Sequence, residues 1–539
     1  MIRSIQELKE LADKKMCNHK NKPQELRVCG GSSCLSLGSA ELKTCLEDEL
    51  ETRELKDNCR VKSVGCSGLC ANGTLVSHCK GDSKDITLYE KITILDVKNL
   101  VDSMQNDTLL KNKLCDTTQA FFTSQTKIVL ENAGNINPDD IEDYIAHSGY
   151  TALFKVLDEM SPKQVIDEIK ISGLRGRGGG GYPTGLKWET VSKIISKQKY
   201  IICNGDEGDP GAFMDRAVME SDPHRVIEGM AIAAYACGAN KGYIYVRAEY
   251  PLALEKLQRA IKQANKLGLL GNNIANSNFN VNIEVRLAAG AFVCGEATAL
   301  VASIEGERGN PRQKPPHLSD YGLWGEPTLL NNVETLANIT SIIKNGGEWY
   351  RDIGTENSSG TKVFALSGHI QNSGLIEVPM GTTLRELIYE IGGGVPNEKK
   401  FKAIQSGGPS GGCIPEHLLD LPIDYDSLKD AGSIMGSGGL IVIDESSNMV
   451  EIARFFIDFC KSESCGKCTP CRVGTVHLTE LLDKFIAKEA TTNDFELLKE
   501  MCDIVKSSSL CGLGQTAPNP ILSTIRYFED EYLAGIKND

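Results

Sequence analysis

The spacing of four cysteines near the C-terminus indicates a metal centre. Cys465, Cys468 and Cys471 form C-x-x-C-x-x-C, and Cys511 follows in the segment SSSLCGLGQ. Three thiolates at this spacing can hold three corners of an iron–sulfur cluster, and a remote fourth cysteine can close it. Zinc held by four cysteines is the structural alternative, and the residue types alone leave both open.

A second cysteine set lies near the N-terminus. It consists of Cys29-x4-Cys34 and Cys66-x3-Cys70, in the segments CGGSSC and CSGLC. A redox dithiol is disfavoured because no C-x-x-C occurs there. Five isolated cysteines and the two that flank the C-terminal motif are interpreted as structural: Cys115, Cys203, Cys237, Cys294, Cys413, Cys460 and Cys502. Four more lie outside the N-terminal pattern: Cys17, Cys45, Cys59 and Cys79.

A glycine-rich stretch, GLRGRGGGGYPTGLKW at 173–188, predicts an anionic ligand. It contains G-x-G-x-x-G, but a helix precedes it, so the context for a dinucleotide fingerprint is missing. No Gly-Lys-Ser/Thr follows, which excludes a P-loop. Glycines still let main-chain N–H groups approach a phosphate or a flat ring closely, and Arg177 and Lys187 could add positive charge. A flexible surface loop is the alternative, but Tyr182 and Trp188 are unusual in such loops.

Three further segments carry polar side chains that could contact a ligand. The first, CNGDEGDPGAFMDR, follows an apolar strand, at the place where ligands bind in open α/β sheets. The second is AGAFVCGEATAL and the third is LLNNVETLAN. Taken singly, each could be an acidic turn or an ordinary polar loop. Their candidate residues are Asn204, Asp206, Glu207, Gly295, Glu296, Asn331, Asn332 and Thr335.

The elements around these segments alternate between strand and helix. Apolar runs at 199–204 and 242–247 predict strands, and helical patterns separate them, which is the rhythm of an α/β sheet. Asn137-Pro138 and Ser161-Pro162 each predict a helix start, and Gln164 completes a capping box with Ser161. Changes in composition and periodicity divide the chain into four segments. The first is 1–118, which ends in a polar linker at 101–118. It is followed by 119–350, by the β-rich segment 351–445 and by the helical segment 446–539.

Composition excludes several classes of function. The chain has 539 residues, with 58 Lys and Arg against 72 Asp and Glu, giving a net charge of −14. An acidic balance argues against a general nucleic-acid or membrane-surface binder. No apolar run reaches membrane-spanning length and no signal peptide is recognised, so we expect a cytoplasmic, reduced protein. In that compartment the 19 cysteines are not explained by disulfides.

In their order along the chain, the four polar segments resemble the NADH-binding FMN flavoprotein subunit of respiratory complex I. They equally resemble its relatives in soluble NAD-linked hydrogenases and formate dehydrogenases. The resemblance runs from about residue 120 to the C-terminus. It implies an α/β FMN- and NADH-binding domain, a β-grasp module with a docking role, and a helical domain with a 4Fe–4S cluster on Cys465, Cys468, Cys471 and Cys511.

The resemblance also assigns the remaining candidate residues. It places NADH against the flavin, near Glu207 and Glu296, which would position the nucleotide. The N-terminal segments resemble a thioredoxin-like 2Fe–2S ferredoxin domain with Cys29, Cys34, Cys66 and Cys70 as ligands, and zinc is the alternative there. The implied FMN-binding residues are Gly176, Arg177, Gly178, Lys187, Asn204, Asp206, Gly295, Asn331, Asn332 and Thr335.

Three positions depart from the family pattern. Gly180 stands where the family usually has alanine, and Tyr182 where it has phenylalanine. Ala297 replaces the glutamate that usually follows the Gly-Glu pair. Losing that acid would alter nucleotide affinity or the flavin potential.

The resemblance implies a subunit that exchanges hydride between NAD(H) and FMN and passes single electrons through the two iron–sulfur centres. Partner iron–sulfur subunits would receive them. The N-terminal fusion favours a soluble, electron-bifurcating hydrogenase or formate dehydrogenase, and a complex I-like respiratory enzyme is the alternative. A zinc-stapled scaffold without redox activity is the alternative of another class. We expect neither nucleic-acid binding nor direct membrane insertion.

Overall fold

The N-terminal domain is a small four-stranded sheet with helices packed on it. The computed structural model describes residues 1–20, 23–80 and 86–537. The strand order is β2-β1-β3-β4, with β1 parallel to β2 and the other pairs antiparallel. The elements are α1 (Ile5–Lys20), β1 (Gln24–Cys29), α2 (Ser32–Ser36), α3 (Ser39–Thr52), β2 (Cys59–Val64), β3 (Val76–Lys80), β4 (Ile86–Tyr89) and α4 (Val97–Gln105).

Two predictions for this region were wrong. The polar linker predicted at 101–118 is helical at its start, because residues 101–105 belong to α4. Leu100, Val101 and Met104 of this helix are buried against the sheet. Helix α1 was grouped with residues 1–118, but its apolar residues join the core of the next domain, where Leu8 is buried. Lys15 binds Asp140 of that domain at 2.5 Å.

The central domain is built on a parallel sheet of order β7-β6-β5-β8. Strands of such a sheet are apolar on both faces because helices cover both sides. Its elements are α5 (Ala120–Thr123), α6 (Ile141–Ala146), α7 (Thr151–Glu159), α8 (Pro162–Ile171), α9 (Thr184–Lys193), β5 (Tyr200–Gly205), α10 (Met214–Ser221), α11 (Pro223–Cys237), β6 (Lys241–Val246), α12 (Pro251–Leu267), β7 (Asn282–Leu287), α13 (Ala297–Ile304), β8 (Thr328–Asn332), α14 (Val333–Asn345) and α15 (Gly347–Arg351).

One of the two predicted helix starts is confirmed. Ser161 caps α8 in a capping box with Gln164, whose side chain accepts a hydrogen bond from the Ser161 N–H at 2.8 Å. The other was wrong: α6 begins at Ile141 and Asp140 is its cap. Asn137 instead accepts a hydrogen bond from the Asp139 N–H at 3.0 Å, so its side chain closes a turn before the helix.

The β-module that follows has a mixed five-stranded sheet of order β12-β11-β15-β13-β14. Strands β11 and β15 run parallel, and the other neighbours run antiparallel. A π-helical segment spans Glu386–Ile391. The elements are β9 (Gly354–Thr355), β10 (Ser358–Ser359), β11 (Thr361–Gly368), β12 (Gly374–Pro379), β13 (Phe401–Ser406), β14 (Gly412–Pro415), α16 (Tyr425–Asp430) and β15 (Gly439–Asp444).

The C-terminal domain is helical, as the sequence predicts. Amphipathic helices bury one face each around Leu478, Leu482 and Leu498. Among the described helices, none is long and apolar enough to cross a membrane. The helices are α17 (Met449–Ser462), α18 (Thr469–Ile486), α19 (Thr492–Ser508), α20 (Gly512–Thr516) and α21 (Asn519–Leu533).

Candidate active site

A cleft of about 590 Å³ opens at the carboxyl end of the parallel sheet. The chain runs from β5 to β6 and β7 on one side, and then returns to β8 on the other side of β5. This makes the gap between β5 and β8 the switch point of the sheet, where ligands bind in open α/β folds. Asn204 and Asn332 are paired across this gap. The cleft volume lies within the range of roughly 300–1,000 Å³ typical of small-molecule sites.

The glycine-rich stretch forms one wall of the cleft with its backbone. A Cβ on Gly178 would lie 2.9 Å from the Cβ of Asn332, so no side chain fits there. Gly179 has φ +110°, a conformation that strongly favours glycine. A Cβ on Gly180 would meet nothing within 4 Å. Gly180 therefore borders open space, and an alanine there would be accommodated.

The opposite wall comes from the β-module. Gly436 pairs with Gly179 in an isolated β-bridge, and a Cβ on Gly436 would lie 2.4 Å from the Cα of Gly407. The Tyr425 hydroxyl donates to the Gly176 carbonyl at 2.8 Å. We expected only a docking role for this module, but its glycine loops also enclose the cleft. The glycine runs at 407–412 and 436–439 were the sequence signal for this wall.

Arg177 does not face the cleft, although its charge was predicted to serve the ligand. Its fully buried guanidinium donates to the carbonyls of Thr361, Arg175 and Ser359 at 3.0, 3.0 and 2.6 Å, and to the Tyr350 hydroxyl at 3.0 Å. These bonds tie the glycine stretch to the start of the β-module. Arg177 is thus a clamp between two domains.

Lys187 also lies outside the cleft lining. Its ammonium donates to the Leu330 carbonyl at 3.1 Å, which ties α9 to β8. Burial lowers its pKa, and the nearby charge of Lys314 lowers it further. The basic side chains that do line the cleft are Arg175 and Lys429, neither of which was predicted from the sequence.

The predicted residues on β8 and α14 divide into one that lines the cleft and two that support it. Asn332 lines the cleft and caps α14. Asn331 accepts a hydrogen bond from the buried Trp188 indole at 2.9 Å. Thr335 accepts one from the Arg177 N–H at 2.8 Å. Asn331 and Thr335 therefore hold the glycine stretch and α9 in place from behind.

Glu207 and Glu296 both line the cleft, and both carboxylates hold the start of a helix. Glu207 accepts hydrogen bonds from the N–H groups of Asp215 and Arg216, at 3.1 Å each, at the start of α10. Glu296 accepts them from Thr298 and Ala299 at 2.8 and 3.0 Å at the start of α13. Acceptors there satisfy N–H groups that have no partner within the helix. This shared role was not predicted from the sequence.

Asp206 borders the cleft and carries a buried carboxylate oxygen that has no hydrogen-bond partner. One carboxylate oxygen binds Arg247 at 3.1 Å, and the other is buried without a hydrogen-bond partner. Asn204 fixes the loop, because its amide accepts from the Asp206 N–H at 3.0 Å and donates to the Gly295 carbonyl at 2.9 Å. A buried acceptor that has no partner is costly unless a ligand satisfies it. Because the Asp206 side chain is 0% exposed, this oxygen lies behind the cleft surface.

Burial raises the pKa of several carboxyl groups around the cleft. Burial raises the pKa of Asp206 to about 7 although Arg247 opposes the shift, and that of Glu207 to about 7 although its helix hydrogen bonds oppose it. Asp209 is raised to a pKa of about 6 by burial. Partly protonated acids repel an anionic ligand less than ionised ones do.

The four C-terminal cysteines line a small cavity next to the cleft. Cys468 and Cys511 occupy the cap positions of α18 and α20, and Cys465 and Cys471 complete the set. Val293 and Leu513 line both this cavity and the cleft. Only one layer of side chains thus separates the two spaces.

The four N-terminal cysteines also converge on one cavity, which Cys29, Cys34, Cys66 and Cys70 line together with Gly31 and Leu75. Cys29 is within hydrogen-bond reach of the Cys34 and Cys66 thiols, and Cys66 is within reach of Cys70. The contacts therefore form a row from Cys34 to Cys70.

Neither cysteine set is arranged around a single metal ion. Within residues 1–20, 23–80 and 86–537, no three or more His, Cys, Asp or Glu side chains are placed to hold one metal ion. Zinc would require four ligands converging at about 2.3 Å from one point. Burial raises the pKa of Cys471 to about 11, so the free thiol is protonated near neutral pH and releases its proton when it binds a metal group.

Three family models match separate parts of the chain. The Nuo51 FMN-binding domain matches residues 169–341. The iron–sulfur binding region of NADH-ubiquinone oxidoreductase-F matches residues 451–535. The SLBB domain matches residues 363–414, within the β-module. The first two models cover the cleft strands and the C-terminal cysteine set, respectively.

Similar proteins cover most of the chain. The NADP-reducing hydrogenase subunit HndC of Solidesulfovibrio fructosivorans is 56% identical over 76% of this chain and 84% of that protein. An F subunit of the NADH-quinone oxidoreductase of Rhizobium meliloti is 44% identical over 76% of this chain and 97% of that protein. The crystal structure of an NAD⁺-reducing [NiFe]-hydrogenase in the H₂-reduced state superposes with a TM-score of 0.68 and 28% identity, covering 99% of this chain and 90% of that one.

Proposed function

Because this chain belongs to the family of NADH-quinone oxidoreductase F subunits, whose members are FMN- and iron–sulfur-containing NADH dehydrogenase-type oxidoreductase modules, we propose that it exchanges electrons between NAD(H) and partner subunits through two iron–sulfur centres. The observation that carries the proposal is the shared wall of Val293 and Leu513 between the cleft and the C-terminal cysteine cavity. A flavin in the cleft would lie next to a one-electron carrier.

The residues that hold FMN are proposed from the cleft lining. Gly178, Gly179 and Gly180 offer backbone and open space to the ligand, and Asn332 and Asp206 offer polar atoms. Gly176, Arg177, Lys187, Asn331 and Thr335 support this lining without entering it. When bound, FMN accepts a hydride from NADH and releases electrons one at a time, which is the chemistry that iron–sulfur centres require of a donor.

Glu207 and Glu296 are proposed to position the nucleotide rather than to transfer protons. Each carboxylate is held by helix N–H groups, and Glu296 is also paired with Lys314 at 2.6 Å. Although burial opposes it, the bonds from Lys314 and Thr298 lower the pKa of Glu296. A carboxylate fixed in this way can accept a hydrogen bond from a ribose hydroxyl with little loss of side-chain entropy.

The N-terminal cysteines are proposed to bind a 2Fe–2S centre in a thioredoxin-like domain. The row of contacts from Cys34 to Cys70 suits an elongated group, and the β2-β1-β3-β4 sheet carries Cys29 at the end of a strand. Zinc remains the alternative for this set. For the C-terminal set, the match to the iron–sulfur region of the family favours 4Fe–4S over zinc, and the zinc-stapled scaffold is set aside with it.

A hydrogenase complex is the proposed setting. It is favoured by the relative named as a hydrogenase subunit and by the superposition on the NAD⁺-reducing hydrogenase over nearly the whole chain. A complex I-like respiratory enzyme is the second candidate, favoured by the relatives from NADH-quinone oxidoreductases. A formate dehydrogenase partner and electron bifurcation rest on the family resemblance alone. A reducing, cytoplasmic location is supported by the nineteen cysteines of the described residues, none of which forms a disulfide.

Electron paramagnetic resonance of the NADH-reduced chain tests the proposed function. We expect NADH to reduce the flavin and to produce signals from both iron–sulfur centres. Cys468→Ser should abolish the 4Fe–4S signal and retain flavin reduction, because Cys468 lines the cysteine cavity and not the cleft. Cys460→Ser is the matched control, since Cys460 is buried nearby but lines neither space. A chain that binds FMN and is not reduced by NADH would contradict the proposal.

A further inference from the structure

Helix α10 joins the cleft to the N-terminal cysteine cavity. Its first turn is held by the Glu207 carboxylate in the cleft wall, and Asp215 in that turn lines the cleft. The helix has eight residues. At about 1.5 Å rise per residue, its last residue, Ser221, lies about 9 Å beyond Asp215. The two sites are therefore separated by a single short helix.

The last two residues of α10 hold both cysteine-bearing loops. Glu220 accepts hydrogen bonds from the Ser32 hydroxyl at 2.7 Å and the Ser32 N–H at 3.3 Å, and Ser32 lies between Cys29 and Cys34. The Ser221 hydroxyl accepts one from the Cys66 N–H at 2.8 Å. Glu220 is only 4% exposed. A buried carboxylate thus lies one hydrogen bond from the loop that supplies two cysteines.

Arg216 lies along the same helix between the two sites. Its Nε is buried without a hydrogen-bond partner and lies 3.9 Å from Glu220. Its guanidinium is 5.5 Å from the Tyr250 ring, which holds it beside α10. The charge acts on Glu207 at one end and on Cys70 at the other. Neither the sequence motifs nor the proposed chemistry assigns a role to Arg216 or Glu220.

We propose that Arg216 and Glu220 are positioning residues that set the reduction potential of the centre held by Cys29, Cys34, Cys66 and Cys70. This inference rests on the proposed 2Fe–2S assignment. Reduction adds a negative charge to that centre, which a neighbouring cation favours and a neighbouring carboxylate disfavours. Glu220 is buried, so the solvent screens its charge only in part, whereas the Arg216 side chain is 32% exposed and its charge is screened more strongly.

Opposite shifts from two charge-removing variants are the expected result. The experiment is a redox titration of the anaerobic full-length chain at pH 8, monitored by electron paramagnetic resonance. Arg216→Gln should make the N-terminal centre harder to reduce, and Glu220→Gln should make it easier. We expect each substitution to change the equilibrium ratio of reduced to oxidised centre about tenfold, which is a 59 mV shift for a one-electron couple. Arg216→Lys, which keeps the charge, should stay near the wild-type potential.

Two internal controls separate charge from general damage. The C-terminal centre should keep its potential in every variant. Arg259→Gln, an exposed arginine on α12, should leave both centres unchanged. Shifts of the same sign in Arg216→Gln and Glu220→Gln, or no shift in either, would overturn the inference, since a purely structural role has no reason to follow the sign of the charge.

Two further outcomes are also decisive. If Arg216→Gln does not assemble the N-terminal centre, Glu220→Gln decides alone, because its amide oxygen still accepts a hydrogen bond from Ser32. Easier reduction of the N-terminal centre in Glu220→Gln supports the inference, and an unchanged potential of that centre overturns it. If the wild-type chain holds zinc on the N-terminal cysteines, the cofactor assignment fails and this inference fails with it. That failure is seen in the wild-type spectrum, so it is distinguishable from a wrong role for Arg216.

Discussion

Replacing Arg177 with lysine tests whether this residue is a clamp between domains or a charge for the ligand. Both side chains are cations, so Arg177→Lys keeps any long-range attraction to an anion. Lysine cannot reproduce the planar fork of donors that contacts four separate oxygen acceptors. The acceptors belong to Arg175, Tyr350, Ser359 and Thr361.

The structure gives the expected magnitude. Arg177 is 0% exposed, so acceptors that lysine does not reach are left unsatisfied away from water. Each buried unsatisfied group costs about 1–3 kcal/mol, so two or more would lower the free energy of unfolding by about 3 kcal/mol. For a unit of 150–250 residues, 1 kcal/mol corresponds to about 2–4 °C, and the unfolding midpoint should therefore fall by about 6–12 °C.

Differential scanning calorimetry of the FMN-loaded chain, with FMN affinity measured by fluorescence at low temperature, makes the comparison. We expect a lower midpoint with an FMN affinity within a few-fold of wild type. Arg351→Lys is the matched control, because Arg351 is exposed at the end of α15, and it should leave both quantities unchanged. An unchanged midpoint combined with a large loss of FMN affinity would refute the clamp.

Three other predictions follow from the cleft. Gly178→Ala should release FMN, since its Cβ would lie 2.9 Å from the Asn332 Cβ. Gly180→Ala should bind FMN like wild type, because its Cβ faces open space. Equal FMN affinities of the two variants in a fluorescence titration would contradict this. Burial raises the pKa of Glu207 to about 7, so its contribution to stability is present below about pH 4 and lost as the pH rises through about 7. The unfolding midpoint should fall across that range by the equivalent of about 3 kcal/mol and much less in Glu207→Gln; parallel pH profiles would show that Glu207 is not the titrating group. Ala297→Glu should weaken NADH binding several-fold by placing a second carboxylate beside Glu296, with Ala297→Gln as the neutral control; equal dissociation constants for the two variants would contradict a charge effect.

The sequence predicts the strands of the parallel sheet well because their pattern is local. The apolar runs at 199–204 and 242–247 correspond to β5 and β6. The capping box at Ser161 was equally readable, since its two partners are three residues apart. Asn137 failed as a cap because its side chain accepts from the Asp139 N–H in the turn before the helix, while Asp140 accepts from the Glu142 N–H in the first turn of α6.

The direction of side chains at the site could not be read from the sequence. Arg177 is adjacent to cleft glycines, yet its side chain turns to acceptors nearly two hundred residues away. The far wall around Gly407 and Gly436 likewise depends on how the β-module docks, which no local pattern encodes. Glu207 was found as a polar residue at the right place, but its hydrogen bonds to the start of α10, eight and nine residues on, appear only in three dimensions. Glu296 caps α13 through N–H groups two and three residues away, which is a local sequence signal that was missed.

The visible absorption spectrum of the anaerobically purified chain, before and after NADH, tests the central claim most directly. We expect flavin bands on a broad iron–sulfur background, bleached by NADH. The wall of Val293 and Leu513 between the cleft and the cysteine cavity predicts that NADH bleaches the flavin bands and the iron–sulfur background together. A colourless protein that contains zinc and binds no flavin would contradict the claim.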